Sequence, residues 1–313
     1  LKAALVWKHN LLAFPDPARM AEALASLEFI AVSDILPSEM VQFADIVLPD
    51  NTFFEGSGLN QRTYQAMYPQ VALREALPAP YDTKSIGSVT ISLLRKMGLE
   101  EYAPEGMGGK AILEAQLEAL GTTKDEIKAA GGMYGDPVPF EPKTEFGTAS
   151  KKIELYSTML EEHGYSPLPK WEPPKASLSE QYPFHLLIYR KPFERMTQSQ
   201  NDPVFREFWP ENAVIMNSGK AEEMDIAEGD EVYVESDAGK IKLKAKLLNG
   251  IRPDCVAIDH GFGHWSPGYS VAAGVGANAG DLIPAMTIQE QLVHNTPDMA
   301  AYMEDVALKV YKA

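Results

Sequence analysis

Residues 240–247, Lys-Ile-Lys-Leu-Lys-Ala-Lys-Leu, alternate lysine with an apolar residue at every step. A period of two puts Ile241, Leu243, Ala245 and Leu247 on one face and Lys240, Lys242, Lys244 and Lys246 on the other. Such a segment reads as a strand with one dry and one wet face, and it needs a sheet that closes off the dry side. Its neighbours supply one: residues 184–189, 213–216, 231–235, 256–258 and the run Val306, Leu308, Val310 are short strand patterns, with a brief helix at 220–224. Six short strands predict a small closed β-barrel whose last strand returns the end of the chain to the sheet.

The first fifty residues follow another rhythm. Ala3–Trp7 is a short apolar run, residues 16–27 carry Met20, Ala23, Leu24 and Leu27 at helical spacing behind two prolines, and Phe29–Val32 is apolar again. Ser38 stands as an N-cap before Glu39, Met40 and Val41, and residues 45–49 close the set as a third strand. Strand, helix, strand, helix, strand predicts a parallel layer with right-handed crossovers, half of a doubly wound domain. The expected fold class is therefore α/β: a partial doubly wound parallel layer followed by a six-stranded barrel. Residues 51–77 lack a period and read as a long loop, and helices are expected at 83–97, 112–120 and 124–130, the last opened by the capping-box spacing of Thr123 and Glu126. Gly106, Gly108, Gly109, Gly131, Gly132 and Gly135 read as turns, since no GxGxxG follows a strand and no Walker lysine is present. Pro167, Pro169, Pro173, Pro174 and Pro183 make a semi-rigid connector, so the expected division is 1–165, linker 166–183 and barrel 184–313.

Composition excludes several function classes. With 28 Lys+Arg against 44 Asp+Glu, a net charge of −16, the chain lacks the basic patch that grips a phosphate backbone, so no nucleic-acid partner is expected. No stretch approaches the roughly 18 apolar residues of a spanning helix, so no direct membrane insertion is expected. One cysteine, Cys255, cannot form an intramolecular disulfide, a zinc ribbon or an iron–sulfur cluster held by this chain alone. The start at Leu1, without a signal-peptide pattern, fits a mature product or an excised piece.

The residues offer little catalytic machinery by themselves. No serine sits in a G-x-S-x-G elbow, and Cys255 lies among strand-forming apolar neighbours, the setting of a buried structural thiol. His260 and His264 flank Gly261-Phe262-Gly263; the two glycines disfavour a helix, so a loop imidazole bonding a ligand or backbone is the main reading and a two-His metal site the rival. Residues 190–201, with Arg190, Thr197, Gln198, Ser199, Gln200 and Asn201, and residues 259–281 are dense in amides, hydroxyls and glycine. Amides offer donor and acceptor together, which suits a polyfunctional heterocycle, and a solvated loop is the equally open alternative.

At these residues the sequence resembles the C-terminal part of the molybdopterin oxidoreductases of the dimethyl sulfoxide reductase type. Val32-Ser33-Asp34 through Ser38-Glu39, then Ala44-Asp45-Ile46-Val47-Leu48-Pro49, is similar to the family's block ending in "ADVVLP". Phe146-Gly147-Thr148-Ala149-Ser150-Lys151-Lys152-Ile153-Glu154-Leu155 resembles its "TPSGKIEL" block. Residues 212–250, with Gly229-Asp230, Val232 and Gly239, resemble its dinucleotide-binding barrel, and Gly276-Ala277-Asn278 with Leu282-Ile283 its closing loop. Gly261-Phe262-Gly263-His264-Trp265 looks like the polysulfide and thiosulfate reductase branch. The chain departs from the pattern where Leu11, not Pro, follows Asn10, and where Gly280 replaces a second Asn.

The resemblance implies a double-psi-like barrel and a bis-molybdopterin guanine dinucleotide carrying Mo or W. It implies cofactor contacts from Asn10, Asp34, Ser38, Asp50, Arg190, Gln198, Ser199, Gln200, Asn201, His260, His264 and Asn278. Asp34 would accept from guanine or ribose and the turn at Ser38 would face phosphate, beyond the C-terminal strand ends where α/β sheets bind ligands; both residues as mere caps is the alternative. The metal ligand, a 4Fe-4S cluster and the other cofactor half-site are expected in N-terminal domains outside this chain, leaving these residues inactive alone. Expected partners of the intact enzyme are those domains, an iron–sulfur electron-transfer subunit and a membrane anchor, in anaerobic respiration in the periplasm or at the outer face of the cytoplasmic membrane, with a cytoplasmic location as the alternative. The expected reaction is two-electron reduction of polysulfide, thiosulfate, tetrathionate or a related oxyanion. The rivals are a stand-alone double-psi barrel serving as a binding module and a small enzyme with its own metal at His260 and His264.

Overall fold

In the computed structural model, β1 (Ala3–Trp7), β2 (Phe29–Asp34) and β3 (Ile46–Pro49) form a parallel sheet in the order β1-β2-β3. The structure describes residues 1–61, 70–136, 139, 142–168, 171, 173, 176–192, 194–287, 289 and 305–313. Helix α1 (Pro17–Ala25) makes the first crossover, with Pro at its start and the Asp16 side chain accepting from the Arg19 N–H. One sheet face and this helix bury Val6, Leu24, Ile30, Val32 and Met40 with Leu12. The other face stays open: Leu5, Trp7, Phe29 and Ile46 are 42, 52, 41 and 48% exposed. Parallel sheets are ordinarily covered on both faces, so this layer is half of one. The second crossover is shorter than expected, a single 3-10 turn at Glu39–Gln42, and Ser38 makes no side-chain cap bond there. Only seven residues separate Ser38 from Ile46, too few for a helix of useful length before β3.

Residues Asp50–Pro173 form a compact unit of their own. In it β4 (Gly58–Gln61), β5 (Val71–Arg74) and β6 (Met133–Tyr134) make an antiparallel sheet in that order. The span 51–77, expected as loop, therefore holds two strands, each of four residues, too short for their alternation to show. Leu59, Leu73 and Tyr134 pack on Leu113, Leu117 and Ile127 from the helices Gly109–Leu120 and Lys124–Ala129. The capping box is formed: the Thr123 hydroxyl accepts from the Glu126 N–H at 3.2 Å and the Glu126 carboxylate from the Thr123 N–H at 2.9 Å. Residues 62–69 of the expected loop and Pro169 and Pro174 of the expected connector lie outside the described residues.

The rest of the chain closes a barrel from β7 (Phe184–Tyr189), β8 (Ala213–Met216), β9 (Glu231–Glu235), β10 (Lys240–Leu247), β11 (Cys255–Asp259) and β12 (Ala307–Lys312). Its order is β10-β8-β11-β7-β12-β9, and β11 runs parallel to β7 and antiparallel to β8. Strand β10 keeps the alternation of its sequence: Ile241, Leu243 and Ala245 are buried and the four lysines are exposed. Cys255 is a buried free thiol, its pKa raised by burial and by Asp254. Leu1–Pro49 and Pro174–Ala313 together form the other compact unit, a division that differs from the segments 1–165 and 184–313. Hydrogen bonds between distant residues join them, including Asp16 N–H to Gly280 O at 3.1 Å and Asn278 Nδ2 to Leu12 O at 2.7 Å, and no local pattern announces such bonds.

Leu243→Ala is expected to lower stability by about 2–5 kcal/mol through the cavity it leaves. Lys246→Ala, on the wet face of the same strand, is expected to change it by less than about 0.5 kcal/mol. Urea unfolding of both variants checks this; equal losses would show that the barrel does not depend on the alternation.

Candidate functional site

Glu39 sits in the 3-10 turn after β2 with only 2% of its surface exposed. A carboxylate so deep in the protein must be satisfied there. Its Oε2 accepts from Asn10 Nδ2 at 2.7 Å and from His264 Nδ1 at 3.0 Å. Its Oε1 accepts from the backbone N–H of Trp265 at 2.9 Å and of Ser266 at 3.1 Å. Burial pushes the Glu39 carboxyl up, but the hydrogen bond and charge of His264, with backbone N–H donors, hold it at about 2. Ser266 Oγ also donates to Pro37 O at 2.6 Å. One ionised side chain thus joins residue 10, the turn after β2 and the loop after β11.

Beside this junction lies a cavity of about 300 Å³, lined among others by Asn10, Glu39, Thr197, His264, Asn278 and Asp281. Asn278 caps the 3-10 turn Ala279–Leu282, accepting from the Gly280 N–H at 2.9 Å, and its Nδ2 donates to Leu12 O. Asn10 accepts from the Leu12 N–H at 3.2 Å, so both asparagines brace the turn at Leu11–Ala13. Each keeps one amide N–H and acceptor capacity beyond these bonds. Glycine is required where the loops meet. A Cβ on Gly263, whose φ is +80°, would lie 2.2 Å from Asn278 N, and one on Gly280 would lie 2.5 Å from Phe14 O. The second contact explains why glycine occupies position 280. Burial and the charge of Asp16 raise the Asp281 carboxyl pKa. The His264 ring meets Tyr269 edge-on at 4.5 Å, and its Nε2 is buried without a protein partner.

Of the residues predicted from sequence, Asn10, His264 and Asn278 line this cavity. The others are placed as follows. Gln200 Nε2 donates to Met196 O at 3.1 Å and His260 O at 3.3 Å, Asn201 Oδ1 accepts from the Val271 and Ala272 N–H groups, and Ser199 Oγ accepts from the Arg195 N–H. These three hold loops together; Gln198 precedes their 3-10 turn without a side-chain cap bond. Arg190 is exposed, and its guanidinium donates to Met196 Sδ at 3.0 Å. His260 is half-buried, its pKa lowered by burial and by the charge of Arg190. Asp34 accepts from the Ile35 and Leu36 N–H groups, and the Ser38 hydroxyl is buried without a protein partner. Asp50 belongs to the other compact unit, where it is buried and accepts from the Asn51 and Ile86 N–H groups. Glu39 and Asp281 were not proposed from sequence as site residues, and Thr197 only as a member of the polar run 190–201: an acidic residue in a first turn reads as ordinary helix-end chemistry until its burial is known. Among the described residues, no group of three or more His, Cys, Asp or Glu is placed to hold a metal ion.

Because Glu39 titrates below an ordinary carboxyl in the folded chain, it contributes stability that is full above about pH 4.5 and is lost as pH falls toward 2. Acid unfolding of Glu39→Gln is expected to lack that component, about 3 kcal/mol at most. An unchanged pH profile would show that the carboxylate is not held by its partners.

Residues 2–95 match the family "Molybdopterin oxidoreductase" and residues 184–291 match "Molydopterin dinucleotide binding domain". The chain is 24% identical over 92% of its length to the thiosulfate reductase molybdopterin-containing subunit PhsA of Salmonella typhimurium, of which it spans 41%. It is 25% identical over 86% of its length to the arsenate respiratory reductase molybdopterin-containing subunit ArrA of Chrysiogenes arsenatis, again spanning 41%. Acetylene hydratase from Pelobacter acetylenicus shares the fold at a TM-score of 0.81 and 21% identity, covering all of this chain and 44% of that one. The chain therefore spans less than half the length of these relatives. The two matched segments supply the parallel layer and the barrel, in that order, and their loops converge on Glu39: the chain belongs to the molybdopterin oxidoreductase family.

Proposed function

We propose that this chain holds part of a bis-molybdopterin guanine dinucleotide through segments 1–165 and 184–313, joined by 166–183. The intact protein would use that cofactor to reduce an inorganic sulfur compound, such as polysulfide, thiosulfate or tetrathionate, by two electrons. The observation that carries the proposal is the cavity beside Glu39, where asparagine amides and the unpartnered His264 Nε2 face a space between the parallel layer and the barrel. Its residues fit the cofactor. Mixed donors and acceptors suit a pterin or guanine, and a volume at the low end of ligand pockets suits one part of a larger group. When bound, the cofactor supplies the metal centre that passes electrons and transfers oxygen or sulfur.

The chain's own residues do the binding and orienting. Asn278 and Asn10 offer their remaining amide groups while bracing the turn at Leu11–Ala13. Glu39 fixes the imidazole of His264 through Nδ1, which leaves Nε2 to meet the ligand. The open face of Leu5, Trp7, Phe29 and Ile46 is where further domains of the intact protein would pack, completing the two-sided cover of a parallel sheet. On this reading the 313 residues are inactive alone, and an iron–sulfur subunit and a membrane anchor would complete a periplasmic respiratory complex. Among the described residues, no helix is long and apolar enough to cross a membrane. The likeness to a hydratase favours a second reading, the same cofactor without net redox chemistry, because one fold hosts many reactions.

Asn278→Ala in the intact enzyme leaves polar cofactor atoms unpaired, at about 1–3 kcal/mol, so cofactor affinity is expected to fall about 5- to 150-fold with the barrel still folded. Pterin and metal content measured beside thermal unfolding checks this; normal content with a lowered melting temperature would reduce Asn278 to a brace of Leu12. Assays of the intact enzyme with polysulfide, thiosulfate, tetrathionate, arsenate and acetylene decide the substrate. Turnover of acetylene alone would overturn the reductase reading.

A further inference from the structure

The backbone at the end of β11 is held by side chains from other segments. Strand β8 runs antiparallel to β11 with Val214 opposite Ile258, which brings Asn212, two residues before Val214, to the end of β11. There Asn212 Nδ2 donates to Asp259 O at 3.3 Å, and Asn212 Oδ1 accepts from the Ala277 N–H at 3.1 Å. The next carbonyl, His260 O, accepts from Gln200 Nε2 at 3.3 Å. The side chain of Asp259 is buried and paired with Lys191 Nζ at 2.5 Å. Asn212 is itself only 5% exposed, and its oxygen and nitrogen are both committed inside the protein, as a buried amide requires.

Ala277 directly precedes Asn278, so the bond to Asn212 acts on the loop that carries a cavity asparagine. Gly263 N–H donates to Val275 O at 3.1 Å and Gly274 N–H to His264 O at 2.8 Å, so residues 263–264 and 274–275 lie side by side. Past Val275 the chain turns at Gly276, whose φ is +66°. A Cβ there would lie 2.4 Å from Asn212 Cβ, so glycine lets the turn close on the asparagine. Asn278 then spends part of its own amide on Leu12 O at 2.7 Å and on the Gly280 N–H at 2.9 Å. It is thus anchored from two sides, by the barrel through Asn212 and by the parallel layer through Leu12. Asn278, His264 and Asn10 line the cavity, and Asn212 does not.

We propose that Asn212 is a positioning residue for the cofactor: by tying the Ala277 N–H to the end of β11, it sets where Asn278 presents its remaining amide groups in the cavity. The proposal rests on reading that cavity as a cofactor site. A hydrogen bond weakens steeply as its angle and distance depart from the optimum, so an amide recognises a heterocycle only from a fixed place. With both anchors Asn278 has one orientation. With Leu12 alone it swings about a single bond, and its free edge no longer meets the ligand. Because Asn212 stands outside the cavity, its effect on the cofactor passes through Asn278 and must vanish once the Asn278 amide is removed.

In the intact enzyme, Asn212→Ala is expected to lower pterin affinity about 10-fold, and by no more than Asn278→Ala does. Gly276→Ala disturbs the same contact from the loop side and removes no polar group; it is expected to lower affinity likewise, and it serves where Asn212→Ala does not fold. Added to Asn278→Ala, either change is expected to lower affinity by less than about twofold further. A double variant that loses the product of the two single losses overturns the proposal, because Asn212 then acts on the fold and not through Asn278. In the 313-residue chain, the side-chain amide NMR signals of Asn278 are expected to shift in both single variants while the methyl signals of Leu308 and Val310 in the barrel core stay in place. Unshifted amide signals overturn the proposal as well. Lowered pterin content in Asn278→Ala beside normal content in Asn212→Ala and Gly276→Ala overturns the positioning role alone. Normal content in Asn278→Ala overturns the cofactor reading of the cavity, and the positioning role with it.

Discussion

The structure around the site depends on the need to satisfy one buried negative charge. Glu39 lies in a turn that would otherwise be a minor link between two strands. It takes hydrogen bonds from residues 10, 264, 265 and 266, and so draws together segments more than two hundred positions apart. Removing such a charge from water is costly, and a partly satisfied network is worse than an apolar core. The backbone donors from Trp265 and Ser266 matter as much as the imidazole because they commit main chain as well as a side chain. A loop anchored in this way has its position set before any ligand arrives, and that lowers the ordering cost of binding.

Close backbone contact completes what the charge begins. Gly263 lies against Asn278, Gly280 against Phe14, and Gly268 against Pro37, where an added Cβ would come within 2.5 Å of the proline ring. At each point a side chain would hold the loops apart, so the cavity walls are made partly of peptide groups. This also accounts for the asparagines. An amide that bonds its own backbone with one edge and leaves the other free both fixes the wall and offers recognition groups to what it surrounds.

The barrel was legible in the sequence because β10 repeats a single rule for eight residues, and the parallel layer because three apolar runs bracket a well-started helix. Strands β4 and β5 were not legible, since four residues carry too little alternation to separate a strand from a loop. The turn after Ser38 followed the expected position but not the expected helix, the path to β3 being too short. Asn10, His264 and Asn278 could be named in advance through the family resemblance, yet their meeting at Glu39 is a tertiary fact, set by bonds that leave no periodic trace. The run from Ser199 to Asn201 shows the converse: residue types suited to a heterocycle serve here to tie loops to one another.

Two buried carboxylates, Glu39 and Asp259, meet the same electrostatic problem with different partners. At Glu39 the donors outnumber the charge, so the carboxyl stays ionised far into the acid range. At Asp259, fully buried, one lysine answers the charge, with Lys191 Nζ at 2.5 Å. The loop that gives Glu39 its donors and the segment that carries Lys191 leave adjacent ends of the parallel barrel strands β11 and β7, so both sets of partners rest on the same rigid base. One short stretch of barrel rim thus supplies partners to two buried carboxylates, one of them carried by the parallel layer.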